Sequence, residues 1–280
     1  MMAAATTGDS SAMSDCERLM VSHLIDGRST GLLLVGHGTR DAAGLAELFK
    51  TARLVRRLLP GVPAELGFLE LAEPTIDEAV ARLAAAEVRR LVAMPLLLFA
   101  AGHAKRDIPA AVAVAVGRYP NLMVEHAGHL GCHESIVELS ARRFDESLDG
   151  QPPLPTAETF LLLVGRGSRD PDATAEMNRF VRLRVARTPV GLAENCFLAM
   201  AEPSLEEMLP RVAATGYPRV VVQPHLLFAG QLLTRLQDAV STFASGRPNQ
   251  QWLITGHLGA EQLVAEAIVD RCRCTLRATD

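Results

Sequence analysis

Short apolar runs alternate along this chain with longer stretches in which apolar positions return every three or four residues. Runs at residues 31–35, 64–69, 91–97 and 122–125 read as strands, and between the first two, Leu45, Leu48, Phe49, Ala52, Val55 and Leu59 share one helical face. Thr75 with Glu78, and Ser204 with Glu207, have the spacing of capping boxes and predict equivalent helices after Pro74 and Pro203. Ile108-Pro109 predicts another helix start, with proline placed where its missing N–H costs little. A last helix is predicted over residues 261–276. Strand–helix–strand alternation implies parallel sheets covered on both faces.

The pattern is written twice. LLLVGHGTRD from Leu32 returns as LLLVGRGSRD from Leu161, GFLELAEPTIDE from Gly67 as CFLAMAEPSLEE from Cys196, and MPLLLFAAGH from Met94 as QPHLLFAGQL from Gln223, all at an offset of 170 − 41 = 129 residues. For 280 residues this repeat decides on two domains, 29–148 and 159–280, joined by a proline-rich linker over 149–158, with residues 1–28 a disordered extension. A net charge of −4 gives no basic excess of the kind nucleic-acid binders carry, so no nucleic-acid partner is expected. Five cysteines without a Cys-x-x-Cys pair fit a reducing compartment, and the cytoplasm is the expected location. The first residues lack the segments of a signal peptide, and no run approaches ~18 apolar residues, so no membrane association is expected.

Three substitutions between the copies carry the chemistry. His37, Glu70 and His103 in the first half become Arg166, Ala199 and Leu232 in the second, while the framework around them is kept. His37 and Glu70 directly follow predicted strands and His103 comes shortly after a third. The carboxyl ends of parallel strands line one crevice, so the three can converge there. Two imidazoles and a carboxylate suit divalent Co, Ni, Fe or Zn and leave coordination positions open. Each residue also has an ordinary reading: His37 holding a Gly-His-Gly turn, Glu70 pairing with an arginine, His103 capping a helix. Their joint loss from the second half favours one shared site.

The blocks GHGTRD, GFLELAEPT and PLLLFAAGHAKRDIP resemble those of the sirohydrochlorin cobaltochelatase and ferrochelatase family, within the class II chelatase superfamily, over roughly residues 31–258. The chain is similar to the long form of that family. The resemblance implies an α/β protein of two duplicated chelatase-like domains, each a parallel sheet flanked by helices, with a cleft between them. It implies that His37 and His103 are the catalytic histidines and that Glu70 helps to bind the metal. The implied reaction places a divalent ion, Co²⁺ first and Fe²⁺ or Ni²⁺ as alternatives, into sirohydrochlorin for cobalamin or siroheme biosynthesis. The absence of a Walker-type loop agrees with an ATP-independent reaction, and no organic cofactor is expected. A rival reading is a non-catalytic tetrapyrrole or metal carrier. Because both walls of the cleft belong to one chain, a monomer suffices.

A polycarboxylate substrate requires cations, and Arg40, Lys105, Arg106, Arg166, Arg169 and Arg235 lie in loops beside the expected site. Arg106 reads equally well as a solvated or cap-paired residue. Arg166 either reaches a substrate carboxylate or pairs with Asp170 or Asp172. His129 and His257 recur in both halves, which argues for a structural task, though either could line the cleft, and for the nearby cluster of His126, Cys132 and His133 metal binding is the minor reading. His225, opposite Leu96 in the repeat, reads as a histidine with local hydrogen-bond partners. Cys272 and Cys274 are too few for a four-cysteine cluster, so no iron–sulfur cluster is expected.

Overall fold

The computed structural model describes residues 29–99 and 102–279, with side chains for 29–99 and 105–278. The extension expected over residues 1–28 lies outside them. The first half contributes strands β1 (Thr30–Gly36), β2 (Ala64–Phe68), β3 (Arg90–Pro95) and β4 (Met123–His126), paired in the order β2-β1-β3-β4. All three pairings are parallel. The second half repeats this with β5 (Thr159–Gly165), β6 (Leu192–Phe197), β7 (Arg219–His225) and β8 (Gln251–Ile254), again parallel and in the order β6-β5-β7-β8. The strand order reverses beside β1 and beside β5. Such switch points open a crevice at the carboxyl ends.

The helices of the first half are α1 (Ala42–Leu58), α2 (Ile76–Ala85), α3 (Gly102–Val116) and α4 (Glu134–Leu148). After a short 3₁₀ turn at Thr156–Glu158 come α5 (Pro171–Arg187), α6 (Leu205–Ala214), α7 (Gln231–Ser245) and α8 (Gln262–Thr279). Both predicted capping boxes form: Thr75 and Ser204 accept from the Glu78 and Glu207 amides, whose side chains answer the cap amides. The proline signal misplaced a boundary, because α3 begins at Gly102 and Pro109 sits inside it. The lost bond is the one to the Lys105 carbonyl, and Ile108 and Val112, both buried, anchor that turn to the sheet.

One face of the first sheet is covered by α2 and α3 around Leu33, Val35, Val80, Leu91 and Val112. Its other face, with Leu32, Leu34, Val92 and Met94 fully buried, packs against α1 and against α8 from the far end of the chain. In return α4 leaves the first half and packs on α5 and β7 of the second. Gln223 on β7 donates to the Ser140 carbonyl on α4 at 2.6 Å, and Arg90 on β3 donates to the Leu276 carbonyl on α8 at 3.2 Å. This exchange of terminal helices merges the two inner faces into one continuous core. Each large aliphatic side chain buried there contributes roughly 1.5–3 kcal/mol relative to exposure.

The inner layer of the second half is more polar than its copy. Arg184, Gln223 and His225 replace Val55, Met94 and Leu96, and all three are buried. His225 corrects an expectation. Both of its ring nitrogens lack hydrogen-bond partners among the described residues, and the ring lies against Phe180 and Phe99 at 4.0 and 5.3 Å between centroids. Its second-sheet position on the core face, between two aromatic rings, leaves no polar neighbour within reach.

Candidate metal and substrate site

The site grows from the last residues of β1. The parallel ladder runs one step beyond the strands, with Leu69 donating to the Gly36 carbonyl at 2.9 Å and Glu70 to the His37 carbonyl at 3.0 Å. That register places two consecutive strand ends side by side. Gly38 follows at φ +99°, and a Cβ there would lie 1.7 Å from the Glu70 carbonyl oxygen, so only glycine permits the two loops to approach. Thr39 accepts from the Asp41 amide and Asp41 accepts from the Gly44 amide, which closes the loop onto α1.

His37 Nε2 and Glu70 Oε1 consequently meet at 3.0 Å, with both side chains more than half exposed. Two donors bound to one ion at about 2.1 Å each are separated by roughly 3–3.4 Å in octahedral or tetrahedral geometry. The 3.0 Å contact is that of an ion pair or hydrogen bond, and the same spacing suits two ligands of a shared cation. His103 lies in the first turn of α3, after β3, which is bonded to β1. Its side chain lies outside the described residues, and no group of three metal-capable side chains gathers among those described.

The second half builds the same loops without the ligands. Leu198 donates to the Gly165 carbonyl and Ala199 to the Arg166 carbonyl, and a Cβ on Gly167, at φ +88°, would lie 1.8 Å from the Ala199 carbonyl. Arg166 thus occupies the place of His37, Ala199 that of Glu70, and Leu232 packs on the second-half core.

The candidate cations divide into two groups. Arg40, Arg106, Arg166 and Arg169 are exposed and make no ion pair among the described residues. Lys105 and Arg235 are engaged. Lys105 reaches from α3 to Asp170 and Asp172 at the start of α5, at 2.8 and 2.9 Å, and these hydrogen bonds raise its pKa. The carboxylates considered as partners of Arg166 are therefore taken by Lys105. Arg235 binds Glu206 at 2.6 Å and holds that carboxyl below its usual range. At the repeat-related junction, where Lys105 is replaced by Thr234 and Asp170 by Asp41, a cavity of about 790 Å³ opens along α6 and α7, lined by both residues and by Arg235.

The histidines set apart from the site have structural partners. His129 and His257 each bind a glutamate of the other half, Glu176 and Glu47. His133 caps α4 by accepting from the Ser135 amide, and Cys132 donates weakly to the Glu176 carbonyl. Glu47 and Glu176 escaped the sequence reading, although Ala46-Glu47 recurs as Ala175-Glu176 at the same offset.

Among known proteins, the CbiX family model matches residues 31–147 and again 160–275. A sirohydrochlorin ferrochelatase of Priestia megaterium is 30% identical over 245 residues, covering 88% of this chain and 90% of its own length. A sirohydrochlorin cobaltochelatase of the same organism is 29% identical over 228 residues, covering 81% and 74%. A solved structure of SirB from Bacillus subtilis with Fe³⁺ superposes with a TM-score of 0.80 at 27% identity, over 90% of this chain and 97% of that one. The SirB of Bacillus subtilis subspecies spizizenii, solved in complex with cobalt, gives 0.75 at 28% identity, over 89% and 96%.

Proposed function

This chain belongs to the CbiX family, and from that premise we propose that it is a chelatase that inserts a divalent metal ion into sirohydrochlorin without nucleotide. Cobalt is the first choice and ferrous iron the second. The observation that carries the reading is the 3.0 Å contact between His37 and Glu70 at the switch-point crevice, in the half that alone holds the ligand set. Relatives of similar identity named for cobalt and for iron support the reaction class and leave the ion open. An N₂O donor set accepts either metal, and availability decides between them.

Insertion requires the ion to shed water and the macrocycle to lose two N–H protons as its four nitrogens bind the metal. His37, Glu70 and His103 would take up the ion in its partly dehydrated form. As it passes to the ring nitrogens, the two imidazoles freed from the metal would each accept one of the two protons and pass it on to solvent, a role that suits histidine. Exposed Arg40, Arg169, Arg106 and Arg166 supply the forked donors that suit a polycarboxylate. Lys105 and Arg235 would join only by giving up their present carboxylate partners.

The test is an anaerobic insertion assay with Co²⁺, Fe²⁺ and Ni²⁺ on free sirohydrochlorin. Wild-type protein is expected to turn over with at least one ion, and His37→Ala, Glu70→Ala and His103→Ala to lose most of that rate while remaining folded. Full turnover in all three variants would overturn the assignment. Binding of the tetrapyrrole without turnover by wild type would favour a carrier.

A further inference from the structure

Directly after the two aligned site positions, Glu70 and Ala199, stand Leu71 and Met200. Both hold a left-handed backbone, at φ 63° and 61°, and both side chains are half exposed. Each feature is unfavourable alone. A large L-residue at positive φ strains its backbone, and an apolar side chain in water gains nothing from folding.

The repeat indicates that neither feature is incidental. The other non-glycine residue at positive φ among those described, Glu87, ends α2 and is replaced in the second half by Gly216, also at positive φ. A cap position therefore drifts to the residue that its backbone prefers. Positions 71 and 200 do not drift: both halves keep a large, flexible apolar residue, even though the second half carries Arg166, Ala199 and Leu232 in place of the three candidate ligands. Among the described residues these are also the one repeat-related pair of exposed large hydrophobics. Strain retained at the rim of a site points to function.

We propose that Leu71 and Met200 are positioning residues that hold the macrocycle by its two apolar faces, one from each half, above the His37–Glu70 pair. This rests on the tetrapyrrole reading above. The division of labour follows from the chemistry of such a substrate. Its rim carries carboxylates, which arginines recognise, but its ring faces are broad and apolar and offer those arginines nothing. One contact comes from each wall because a ring has two faces, whereas it takes up one ion and so needs one metal site. Both side chains are half exposed and so stand free of the sheet core.

Asparagine tests this without damaging the fold, because it adopts positive φ readily and removes only the apolar contact. Binding of sirohydrochlorin to metal-free protein is followed by fluorescence, Co²⁺ binding by separate titration, and stability by thermal melting. Leu71→Asn and Met200→Asn are each expected to weaken sirohydrochlorin binding about tenfold, as loss of a buried aliphatic contact does, and the double variant further still. Co²⁺ affinity and the thermal midpoint are expected to hold. If wild type binds the macrocycle and both variants match it within about twofold, or if their affinity falls only in step with stability or Co²⁺ binding, the proposal is overturned. If wild type fails to bind sirohydrochlorin at all, the functional reading falls and this inference with it.

Discussion

His257 and Glu47 meet across the two halves of the molecule, with Nε2 2.9 Å from Oε1, and the repeat supplies the reciprocal contact between His129 and Glu176 at 2.8 Å. Each histidine follows the fourth strand of its own half and grips the first helix of the other. Glu47 also accepts from the Ala229 amide at 2.7 Å. These paired clasps act at the same junction as the exchange of α4 and α8. The two halves thereby share one packed core, although their sheets do not pair.

The clasp has a pH signature. Burial pushes the Glu47 carboxyl up, but the hydrogen bond from His257, the Ala229 amide and the charges of His257 and Lys50 outweigh it, so its pKa is lowered overall. A carboxyl lowered in the folded state contributes stability above its unfolded pKa and loses it as pH falls through the folded value. Glu47→Gln is expected to cost about 1.5–3 kcal/mol at neutral pH, the range for hydrogen bonds to charged groups. The difference from wild type should shrink below about pH 4, where free carboxylates titrate. Thermal midpoints measured from pH 7 down to pH 3 check this, and a constant difference would count against the clasp.

His225 works by the same linkage with a different group. Burial lowers its pKa to about 3, whereas an unfolded histidine titrates near ~6.5. Between those values the unfolded chain binds a proton that the folded chain refuses, so stability is lost as pH falls below about 6.5, by up to about 1.4 kcal/mol per pH unit. His225→Leu, which copies Leu96 of the first half, is expected to be at least as stable as wild type at pH 7 and to lose less stability by pH 5. Chemical denaturation at the two pH values reads the slope. An unchanged slope would show that His225 is not the group responsible.

Much of this architecture was legible in the sequence because local rules decide it. Apolar runs marked the strands, Thr75 and Ser204 marked two helix starts, and the 129-residue offset marked the duplication. The exchange of α4 and α8 was not legible: an amphipathic period shows that a helix has a buried face, not which sheet covers it. Pro109 misled because proline tolerates a second-turn position when neighbours such as Ile108 and Val112 bury well. His225 misled because a polar residue type says nothing of partners that only tertiary packing supplies. At the site, the meeting of His37 with Glu70 followed from their strand-end positions. The occupation of Lys105 by Asp170 and Asp172 depends on how the halves dock, and no spacing encodes that.

Gly38 and Gly167 offer a paired test of the site loop. An added Cβ would clash with the Glu70 or Ala199 carbonyl, and both glycines hold positive φ. Alanine at either position is expected to destabilise the protein by more than about 2 kcal/mol, from left-handed strain plus the clash. Only Gly38→Ala should also weaken Co²⁺ binding, since only that loop aligns His37 with Glu70. Isothermal titration on folded samples of both variants decides the matter, and equal metal affinities would detach Gly38 from the site.

Arg166→His tests whether the metal site is a property of one histidine or of the whole set. The substitution restores an imidazole on a loop whose backbone matches that of His37, with Gly167 at φ +88° against +99° for Gly38. It does not restore the carboxylate, because Ala199 stands where Glu70 does, nor the third ligand, because Leu232 packs on the second-half core. A lone imidazole holds a divalent ion too weakly to compete with water and buffer, whereas three protein ligands leave only the reactive positions open. The variant, like wild type, is therefore expected to bind one Co²⁺ per chain, with no gain in insertion rate. Exchanging a cation for a neutral ring on the wall opposite the metal should meanwhile weaken sirohydrochlorin binding, by on the order of 1.5–3 kcal/mol if Arg166 holds a substrate carboxylate. Metal content of dialysed protein together with tetrapyrrole titration gives both readings, and two bound ions per chain would refute the single asymmetric site.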